Sequence, residues 1–187
     1  SHVFGARNKS SNAFYHCKSC DIYFQYPGLS DEEESKFYAS EFEKFMEKRS
    51  GKRGGWQKAN EHIAANEVTR KRREKYLNPL ISSSMDILEV GCSSGFMLYP
   101  LIKNGHNCFG VEPSGVFSEF LSSKKLPVFN SLDELILKKP EKKFDLIMHF
   151  FVLEHISKPM EFLEAQLDLL KPNGKIVFEI PNVADPL

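Results

Sequence analysis

The sequence predicts an α/β fold organised around a doubly wound, mostly parallel β-sheet. From residue 85 onward, short apolar runs alternate with segments of helical periodicity, which is typical of strands joined by crossover helices. A glycine-containing turn follows the first apolar run, and an acidic residue ends the second. Because ligands of parallel sheets bind beyond the carboxyl ends of the strands, we expect both features at a ligand site.

The predicted elements of this core are connected by short turns. Strands are predicted at 86–90, 107–111, 127–129, 144–149 and 175–180, and helices at 95–104, 114–124, 132–137 and 159–170. Residues 171–174 would form the turn before the last strand. Pro100 is unfavourable inside the first helix unless it lies in the first turn, where its missing N–H is not needed.

Two segments precede this core, which spans residues 85–187. Residues 31–84 predict a helical extension that caps the ligand site. Ser30 and the acids after it begin one helix, a glycine-rich stretch at 50–55 breaks it, and a second helix covers about 56–80. Residues 1–30 are rich in aromatic side chains and contain the pair Cys17 and Cys20.

The composition argues against several classes of protein. The chain has 187 residues, of which 41% are hydrophobic, so it can form a packed core. Lys plus Arg and Asp plus Glu number 25 each, which does not favour nucleic acid or an anionic membrane as partner. No apolar run approaches the ~20 residues of a membrane span, and we expect no signal peptide. Four cysteines without a disulfide framework predict a reducing, cytoplasmic location.

The turn after the first strand is the strongest functional signal. Gly91 permits a sharp turn and close approach of a ligand to the backbone, and Gly95 is expected to let the next helix lie tight against the strand. Glu112 ends the second strand, 21 residues after Gly91, where a carboxylate can accept hydrogen bonds from both hydroxyls of a ribose. A tight turn that binds no ligand is the alternative.

Two kinds of nucleotide cofactor share this layout. A dinucleotide site would have glycines at positions 93 and 96, but this chain has Ser93 and Phe96. Glu89, two residues before Gly91, would repel a pyrophosphate and attract a cation. The spacing therefore favours a cofactor that carries an amino group and a sulfonium, and a nicotinamide cofactor is the less favoured alternative.

These motifs, in this order, resemble those of class I S-adenosylmethionine-dependent methyltransferases. The matching segments are ILEVGCSSG at 87–95, GVEPS at 110–114, FDLI at 144–147, VLEHI at 152–156 and LLKPNGK at 169–175. They cover about residues 85–182, and the LEH segment is most similar to quinone-biosynthesis O-methyltransferases and to sugar or small-metabolite methyltransferases. The resemblance implies a Rossmann-like core of seven strands, of which the last, antiparallel pair and the carboxyl-terminal part are missing here.

The resemblance also implies which residues bind the cofactor. The glycine loop would hold the methionine portion, Glu112 the ribose and the segment after the third strand the adenine. The segment after the fourth strand would cover the cofactor and face the acceptor. The implied residues are Glu89, Gly91, Cys92, Ser93, Gly95, Phe96, Glu112, Pro113, Asn130, Ser131, Leu132, His149, Phe150 and Phe151. Ser93 replaces the common middle glycine, and we expect its small size to suffice.

The implied reaction is methyl transfer to a small-molecule or sugar-like acceptor, at oxygen rather than nitrogen or carbon. The donor methyl group is already activated, so the protein mainly aligns the reactants and excludes water. His155 is the candidate general base for a hydroxyl, because histidine changes charge near neutral pH, and Glu154 would orient it. His149 is a weaker candidate. Two alternatives stay open: Glu154 and His155 only fix their loop, or the domain is a non-catalytic cofactor-binding or scaffold domain.

Cys17 and Cys20 have the spacing of metal ligands, but zinc requires four, and the sequence contains no second such pair. In the resembling sugar-methyltransferase branch a zinc ribbon precedes the core. This likeness implies a partial zinc ribbon in residues 1–30, with its first knuckle before Ser1. Inert thiols are the alternative.

The basic run Arg70-Lys71-Arg72-Arg73 lies on the second predicted helix. Nucleic acid is one interpretation, but the balanced net charge favours a solvated helix face or a cap over the cofactor pocket. The predicted partner is therefore a small-molecule acceptor, with neither nucleic acid nor membrane, and the sequence gives no prediction of oligomeric state.

Overall fold

The computed structural model describes residues 2–5, 13–37, 41, 48 and 58–182. Its amino-terminal part is an antiparallel sheet of β1 (His2–Gly5), β2 (Ala13–His16) and β3 (Tyr23–Tyr26), followed by α1 (Asp31–Lys36). Cys17 and Cys20 lie in the turn between β2 and β3. Most of the helical prediction after Phe37, and the start of the second predicted helix, lie outside the described residues.

The helical extension contains α2 (Ala59–Ala65) and α3 (Glu67–Leu77), and a 3-10 turn at Asn78–Leu80 follows. The prediction of one helix over 56–80 is therefore wrong at Asn66. The side-chain amide of Asn66 donates to the carbonyl of His62 at 2.8 Å, and its backbone N–H donates to the same carbonyl at 3.1 Å. These bonds close α2 and turn the chain into α3.

Five parallel strands form the core sheet. They are β4 (Asp86–Val90), β5 (Asn107–Val111), β6 (Val128–Phe129), β7 (Phe144–Phe150) and β8 (Leu170–Glu179). Their order is β6-β5-β4-β7-β8, so the chain winds outward from β4 and then returns to pair β7 on its other side. This reversal is the switch point at which doubly wound sheets bind ligands, and the predicted fold class is confirmed.

Helices cover both faces of this sheet. They are α4 (Leu98–Lys103), α5 (Gly115–Ser123), α6 (Leu132–Lys138) and α7 (Pro159–Asp168). Ile87 and Met148 pack with α4, α5 and Leu77 in one apolar layer, whereas Leu88 and Ile147 pack with α6 in the other. No helix in the described ranges is long and apolar enough to cross a membrane.

Two predicted element ends differ from the structure. The first core helix begins at Leu98 rather than Gly95, so Pro100 lies in its first turn and removes no intrahelical hydrogen bond. The last strand begins early, because Leu170 pairs with Phe144, and the register is then interrupted before Lys175 pairs with Leu146. The predicted turn at 171–174 is this interruption.

Candidate cofactor-binding site

The glycine loop after β4 is fixed to the neighbouring strand and to the loop after β7. The backbone N–H groups of Gly91 and Cys92 donate to the carbonyl of Val111 at 2.8 and 3.1 Å. Gly91 has a φ of +72°, and a Cβ there would lie 2.6 Å from Cγ2 of Val152. A side chain at position 91 would therefore push the loops apart. The Cys92 side chain is fully buried in the apolar layer, so only its backbone faces the loop's outer side.

The small residues Gly95 and Ser93 of the loop are explained by different features of the structure. A Cβ at Gly95 would lie 2.8 Å from Cδ2 of Leu121, so this glycine allows the loop to contact α5. The sequence had instead suggested that Gly95 lets the next helix pack tightly against the strand. Ser93 has a φ of +48°, in the left-handed region that favours glycine. The small size of the side chain is therefore not the whole requirement at position 93, because the backbone conformation there also favours glycine.

Glu112 is buried directly beside this loop. Its Oε2 accepts a hydrogen bond from the backbone N–H of Ser93 at 2.6 Å, and its Oε1 accepts one from that of Ser114 at 2.8 Å. Burial raises the pKa of Glu112 to about 7, although both backbone bonds act to lower it. Each carboxylate oxygen can accept a second bond, so the group is held in place with acceptor capacity for a ligand. Pro113, the next residue, is exposed.

Glu89 occupies the carboxyl end of the central strand. Its side chain is buried, and its Oε2 accepts no hydrogen bond from the described residues. Burial raises the pKa of Glu89 well above its ordinary value; the positive charge of Arg73 lowers it, and the nearby Glu112 raises it further. A buried carboxylate oxygen without a donor is costly unless a ligand supplies one.

Arg73 brings a cation from α3 to this edge of the sheet. Its Nε donates to Oε2 of Glu179 at 2.7 Å, and its guanidinium lies 4.1 Å from the ring centre of Phe150. Phe96 and Phe151 lie 5.8 and 5.7 Å from the same group. In the sequence Arg73 stands out only as one member of the basic run, without a predicted role of its own. Its position four residues before the buried Leu77, on the same face of α3, is the signal that could have identified it.

His62 of α2 also reaches the glycine loop, and sequence reasoning missed it as well. Its Nδ1 is hydrogen-bonded to Oγ of Ser94 at 2.8 Å, and both residues are buried. The ring also contacts Phe96 and Phe117, with centre separations of 5.8 and 5.2 Å. Burial lowers the pKa of His62, so the neutral ring is favoured. A histidine on a helix gives no local signal of such a partner.

The segment after β6 is organised by a helix cap. Oγ of Ser131 accepts from the backbone N–H of Glu134 at 3.1 Å, and Glu134 accepts from the backbone N–H of Asn130. Leu132 begins α6 and is half-buried. The backbone N–H of Glu112 donates to the carbonyl of Phe129 at 2.8 Å, which places this segment next to the ribose candidate.

The segment after β7 separates its predicted residues into two groups. Phe150 and Phe151 lie beside Arg73, and Phe151 has a φ of +56°. His149 instead lies in the opposite layer, fully buried, with its ring stacked on Phe178 at 5.1 Å and neither nitrogen bonded to a described residue. Burial lowers the pKa of His149 to about 4. The His149 ring therefore faces the layer opposite to Phe150, and its role at the cofactor stays a prediction.

Glu154 and His155 form a 3-10 turn at Leu153–His155. The His155 side chain is 54% exposed, and its Nε2 lies 3.8 Å from Oε1 of Glu154. That distance is too long for a hydrogen bond but short enough for charge attraction. Val152, which contacts Gly91, joins this turn to the glycine loop.

The amino-terminal cysteines lie apart from these residues in the chain and form a small thiol site. Hydrogen bonds from the backbone and side chain of Cys20, and from the backbone of Ser19, lower the pKa of Cys17. Across the same turn, His16 Nε2 lies 2.6 Å from Asp21 Oδ1. Within the described ranges, no group of three or more His, Cys, Asp or Glu side chains is arranged to hold a metal ion. Zinc binding stays a prediction.

Ion pairs surround the charges of the basic run. Arg70 pairs with Glu67 and Glu74, and Lys71 lies 3.5 Å from Glu67. Arg72 shares Glu179 with Arg73, at 2.7 Å for each. The run is thus partly a paired helix face and partly a contact with the carboxyl end of β8.

Comparison with known proteins agrees with this architecture. A family model described as a methyltransferase domain matches residues 56–187. The chain belongs to this methyltransferase domain family. The match includes α2 and α3, so the family domain begins before the predicted core boundary at residue 85.

Similar proteins cover part of the chain. An S-adenosylmethionine-dependent methyltransferase structure from Archaeoglobus fulgidus is 26% identical, with a TM-score of 0.55 over 63% of this chain and 53% of that one. A ubiquinone biosynthesis O-methyltransferase of Coxiella burnetii is 30% identical over 116 residues, 59% of this chain and 50% of that protein. A tRNA U34 carboxymethyltransferase of Pseudoalteromonas atlantica is 28% identical over 136 residues, 66% of this chain and 42% of that protein. The chain spans about half the length of the curated relatives it matches.

The residues at the sheet edge fit the cofactor that the methyltransferase family uses. The unbonded oxygen of Glu89 suits a cationic amino group, and Glu112 has acceptor capacity for ribose hydroxyls. Gly91 itself carries no side chain, and the Val152 side chain packs against the position that a Cβ would take. The positions and bonding capacities of these residues are therefore compatible with binding of S-adenosylmethionine.

Proposed function

We propose that this protein binds S-adenosylmethionine at the carboxyl ends of β4 and β5 and transfers its methyl group to a small-molecule or sugar-like acceptor, at oxygen. The observation that carries this proposal is the buried Glu89 carboxylate, one oxygen of which lacks a donor among the described residues. Glu112 lies at the end of the adjacent strand in a chain of methyltransferase family. Together they match a ligand with a cationic amino group and two neighbouring hydroxyls.

The chain's residues would divide the cofactor between them. Glu89 takes the amino group, and Glu112 takes the ribose hydroxyls. Arg73, which is buried beside Phe150, takes the carboxylate of the cofactor's methionine portion, because it is a cation near Glu89, the residue assigned to the amino group. Backbone groups of Gly91, Cys92, Ser93 and Gly95 line the methionine portion, and Pro113, Asn130, Ser131 and Leu132 lie on the adenine side.

When bound, S-adenosylmethionine supplies an activated methyl group on a sulfonium. Phe96, Phe150 and Phe151 surround the Arg73 guanidinium and exclude water from this edge of the sheet. Phe151 is 43% exposed and adopts a left-handed backbone, which is unfavourable for an aromatic residue and common at functional sites. We assign it to the acceptor side of the pocket.

His155 is the proposed general base. Its exposed ring can accept a proton from an acceptor hydroxyl at Nε2, and Glu154 stabilises the resulting imidazolium across 3.8 Å. This role requires an acceptor that bridges the turn at Leu153–His155 and the cofactor. His149 is not proposed for it, because its ring is enclosed by Phe162 and Phe178.

The ion pairs of the basic run support a small acceptor. Arg70, Arg72 and Arg73 are engaged with carboxylates, so the basic run is not an unpaired cationic surface for nucleic acid. The names of the similar proteins include both ubiquinone biosynthesis and tRNA, so they favour neither kind of acceptor. We propose the small acceptor as the first choice, and a cytoplasmic location with it.

Thermal denaturation tests cofactor binding. At one hundred times its dissociation constant, S-adenosylhomocysteine adds ~2.7 kcal/mol of stability, which corresponds to roughly 5–10 °C for a chain of this size. NAD at the same concentration should give no shift. If a folded sample shows no shift with S-adenosylhomocysteine, the cofactor proposal is wrong.

Turnover separates catalysis from the non-catalytic alternative. The full-length protein is incubated with S-adenosylmethionine and a panel of phenols, sugars and amines, and S-adenosylhomocysteine release is measured. His155→Ala should lower turnover of a hydroxyl acceptor and leave S-adenosylhomocysteine affinity nearly unchanged. Cofactor binding without turnover of any acceptor would favour a scaffold domain, and equal loss of affinity and turnover in His155→Ala would make His155 structural.

A further inference from the structure

The bond between His62 and Ser94 is a direct polar link between α2 and the glycine loop. His62 Nδ1 and Ser94 Oγ are 2.8 Å apart and come from positions 32 residues apart in the chain. Ser94 is fully buried and His62 is 9% exposed, so water does not compete strongly for the bond. Phe96 and Phe117 enclose the imidazole and fix its orientation.

We infer that His62 is a positioning residue that acts through Ser94 to hold the glycine loop in its ligand-binding shape, so that docking of α2 on the core and binding of S-adenosylmethionine are energetically coupled. The inference rests on the proposed function, because it takes the glycine loop as the cofactor site. No contact between His62 and the cofactor is required.

The geometry of the loop explains how one side chain can control it. Ser93 is held in the left-handed region, and its backbone N–H donates to Glu112. Ser94 follows directly, so anchoring its hydroxyl restrains the peptide that carries the Ser93 bond. Without His62 the loop has a buried hydroxyl that lacks this partner, and conformations that expose Ser94 to water become more favourable. Those conformations move Ser93 away from Glu112.

Linkage makes the effect reciprocal. If docking of α2 favours the binding-competent loop, then cofactor binding must favour docking of α2 by the same factor. Ligand should therefore slow amide hydrogen exchange in α2 (Ala59–Ala65). The effect would reach this helix through the His62–Ser94 bond and needs no contact between the helix and the ligand.

The test uses the full-length protein and S-adenosylhomocysteine. Dissociation constants are measured by calorimetry for the wild type, His62→Ala, His62→Asn, Ser94→Ala and the double variant His62→Ala/Ser94→Ala. Loss of one buried hydrogen bond predicts a roughly 5- to 30-fold weaker affinity for His62→Ala and for Ser94→Ala. The double variant should be no weaker than either single one. His62→Asn, which places an amide group near Nδ1, should recover most of the affinity.

His106 supplies a matched control at the other end of the sheet. It is also 9% exposed, and its Nδ1 accepts a hydrogen bond from the backbone N–H of Met85 at 3.3 Å. His106→Ala should lower the melting temperature without changing the dissociation constant. Ligand-dependent slowing of exchange in α2 should persist in His106→Ala and disappear in His62→Ala.

Three results would overturn the inference. They are unchanged affinity in folded His62→Ala, independent and multiplicative effects of the two single variants, and ligand-dependent protection of α2 that survives loss of His62. If His62→Ala does not fold, His62→Asn and Ser94→Ala carry the same comparison. Absence of any binding by the wild type would instead contradict the proposed function on which the inference rests.

Discussion

The two ends of the central strand β4 carry acidic residues in opposite situations. At the amino end, Asp86 accepts hydrogen bonds from Lys142, Lys171 and Asn107. At the carboxyl end, Glu89 is buried with an oxygen that no described residue serves. The two residues are three positions apart on one strand, so the difference arises from their surroundings and not from the strand itself.

The pKa values at the two ends are shifted in opposite directions, in agreement with this difference in hydrogen bonding. Burial raises the pKa of Asp86, but its three hydrogen bonds outweigh this and lower the pKa to about 2. The pKa of Glu89 is raised well above its ordinary value and that of Glu112 to about 7. The amino end of the sheet is thus internally satisfied, and the carboxyl end retains capacity that a ligand can use.

The largest expected effect is at Glu112. Glu112→Ala removes the acceptor for two ribose hydroxyls and for the Ser93 N–H, so S-adenosylhomocysteine affinity should fall by roughly 100-fold. Asp86→Asn is the matched control at the other end of the sheet, and its affinity should equal that of the wild type. Calorimetric titration of both variants checks this. Equal losses in both would show that the two ends are not functionally distinct.

Asp86 should contribute chiefly to stability. Its folded pKa of about 2 lies below the ordinary value of 3.8, so its contribution is present above pH 4 and is lost as the pH falls toward 2. Asp86→Asn should therefore lower the free energy of unfolding by about 2 kcal/mol at pH 7. Urea unfolding of the wild type and Asp86→Asn at pH 7 and at several pH values between 4 and 2 measures the difference in unfolding free energy. A gap that widens toward acid would contradict this explanation.

Glu112 should have the opposite pH dependence. Its raised pKa stabilises the unliganded folded state below about pH 4.5, and this contribution is lost as the pH rises through about 7. A ligand that donates hydroxyls prefers the carboxylate, so S-adenosylhomocysteine affinity should weaken by up to about tenfold per pH unit below 7. Titrations from pH 8 to 5.5 test this, with Glu112→Gln expected to show a flat profile. A flat wild-type profile would remove Glu112 from the ribose site.

The smallest effect concerns Ser93. Its left-handed backbone predicts that Ser93→Gly raises the free energy of unfolding by up to about 1 kcal/mol, while the N–H that serves Glu112 is kept. Lys125 also has a left-handed backbone, so Lys125→Gly is the control for a gain in unfolding free energy at a position away from the glycine loop. Urea unfolding measures both variants, and a loss of stability in Ser93→Gly alone would indicate that its side chain has a bonding role.

The sequence was most informative where residues are buried on both faces. Ile87, Leu88 and Val90 are all buried, so β4 is recognisable from its apolar residues although Glu89 interrupts them, and the acids near the ends of β4 and β5 lie where the sequence predicted. The break at Asn66 was not predicted, because a side-chain amide competes there with the regular helix bond.

Long-range partners could not be predicted from local patterns. His62 meets Ser94 across 32 positions, and Arg73 meets Glu179 across 106. His149 shows the opposite limit, because its place after a strand suggested exposure at the site, whereas alternation along β7 directs its ring to Phe162 and Phe178. The roles of the remaining site residues stay predictions.

The pairing of Arg73 with Glu179 has a consequence for biosynthesis. Glu179, the carboxylate partner of Arg73, is added to the growing chain 106 residues after Arg73. Until β8 has been made and paired with β7, the Arg73 side chain lacks the anchor that holds it over Phe150. A nascent chain should thus acquire affinity for the cofactor only after β8 has been made and has paired with β7.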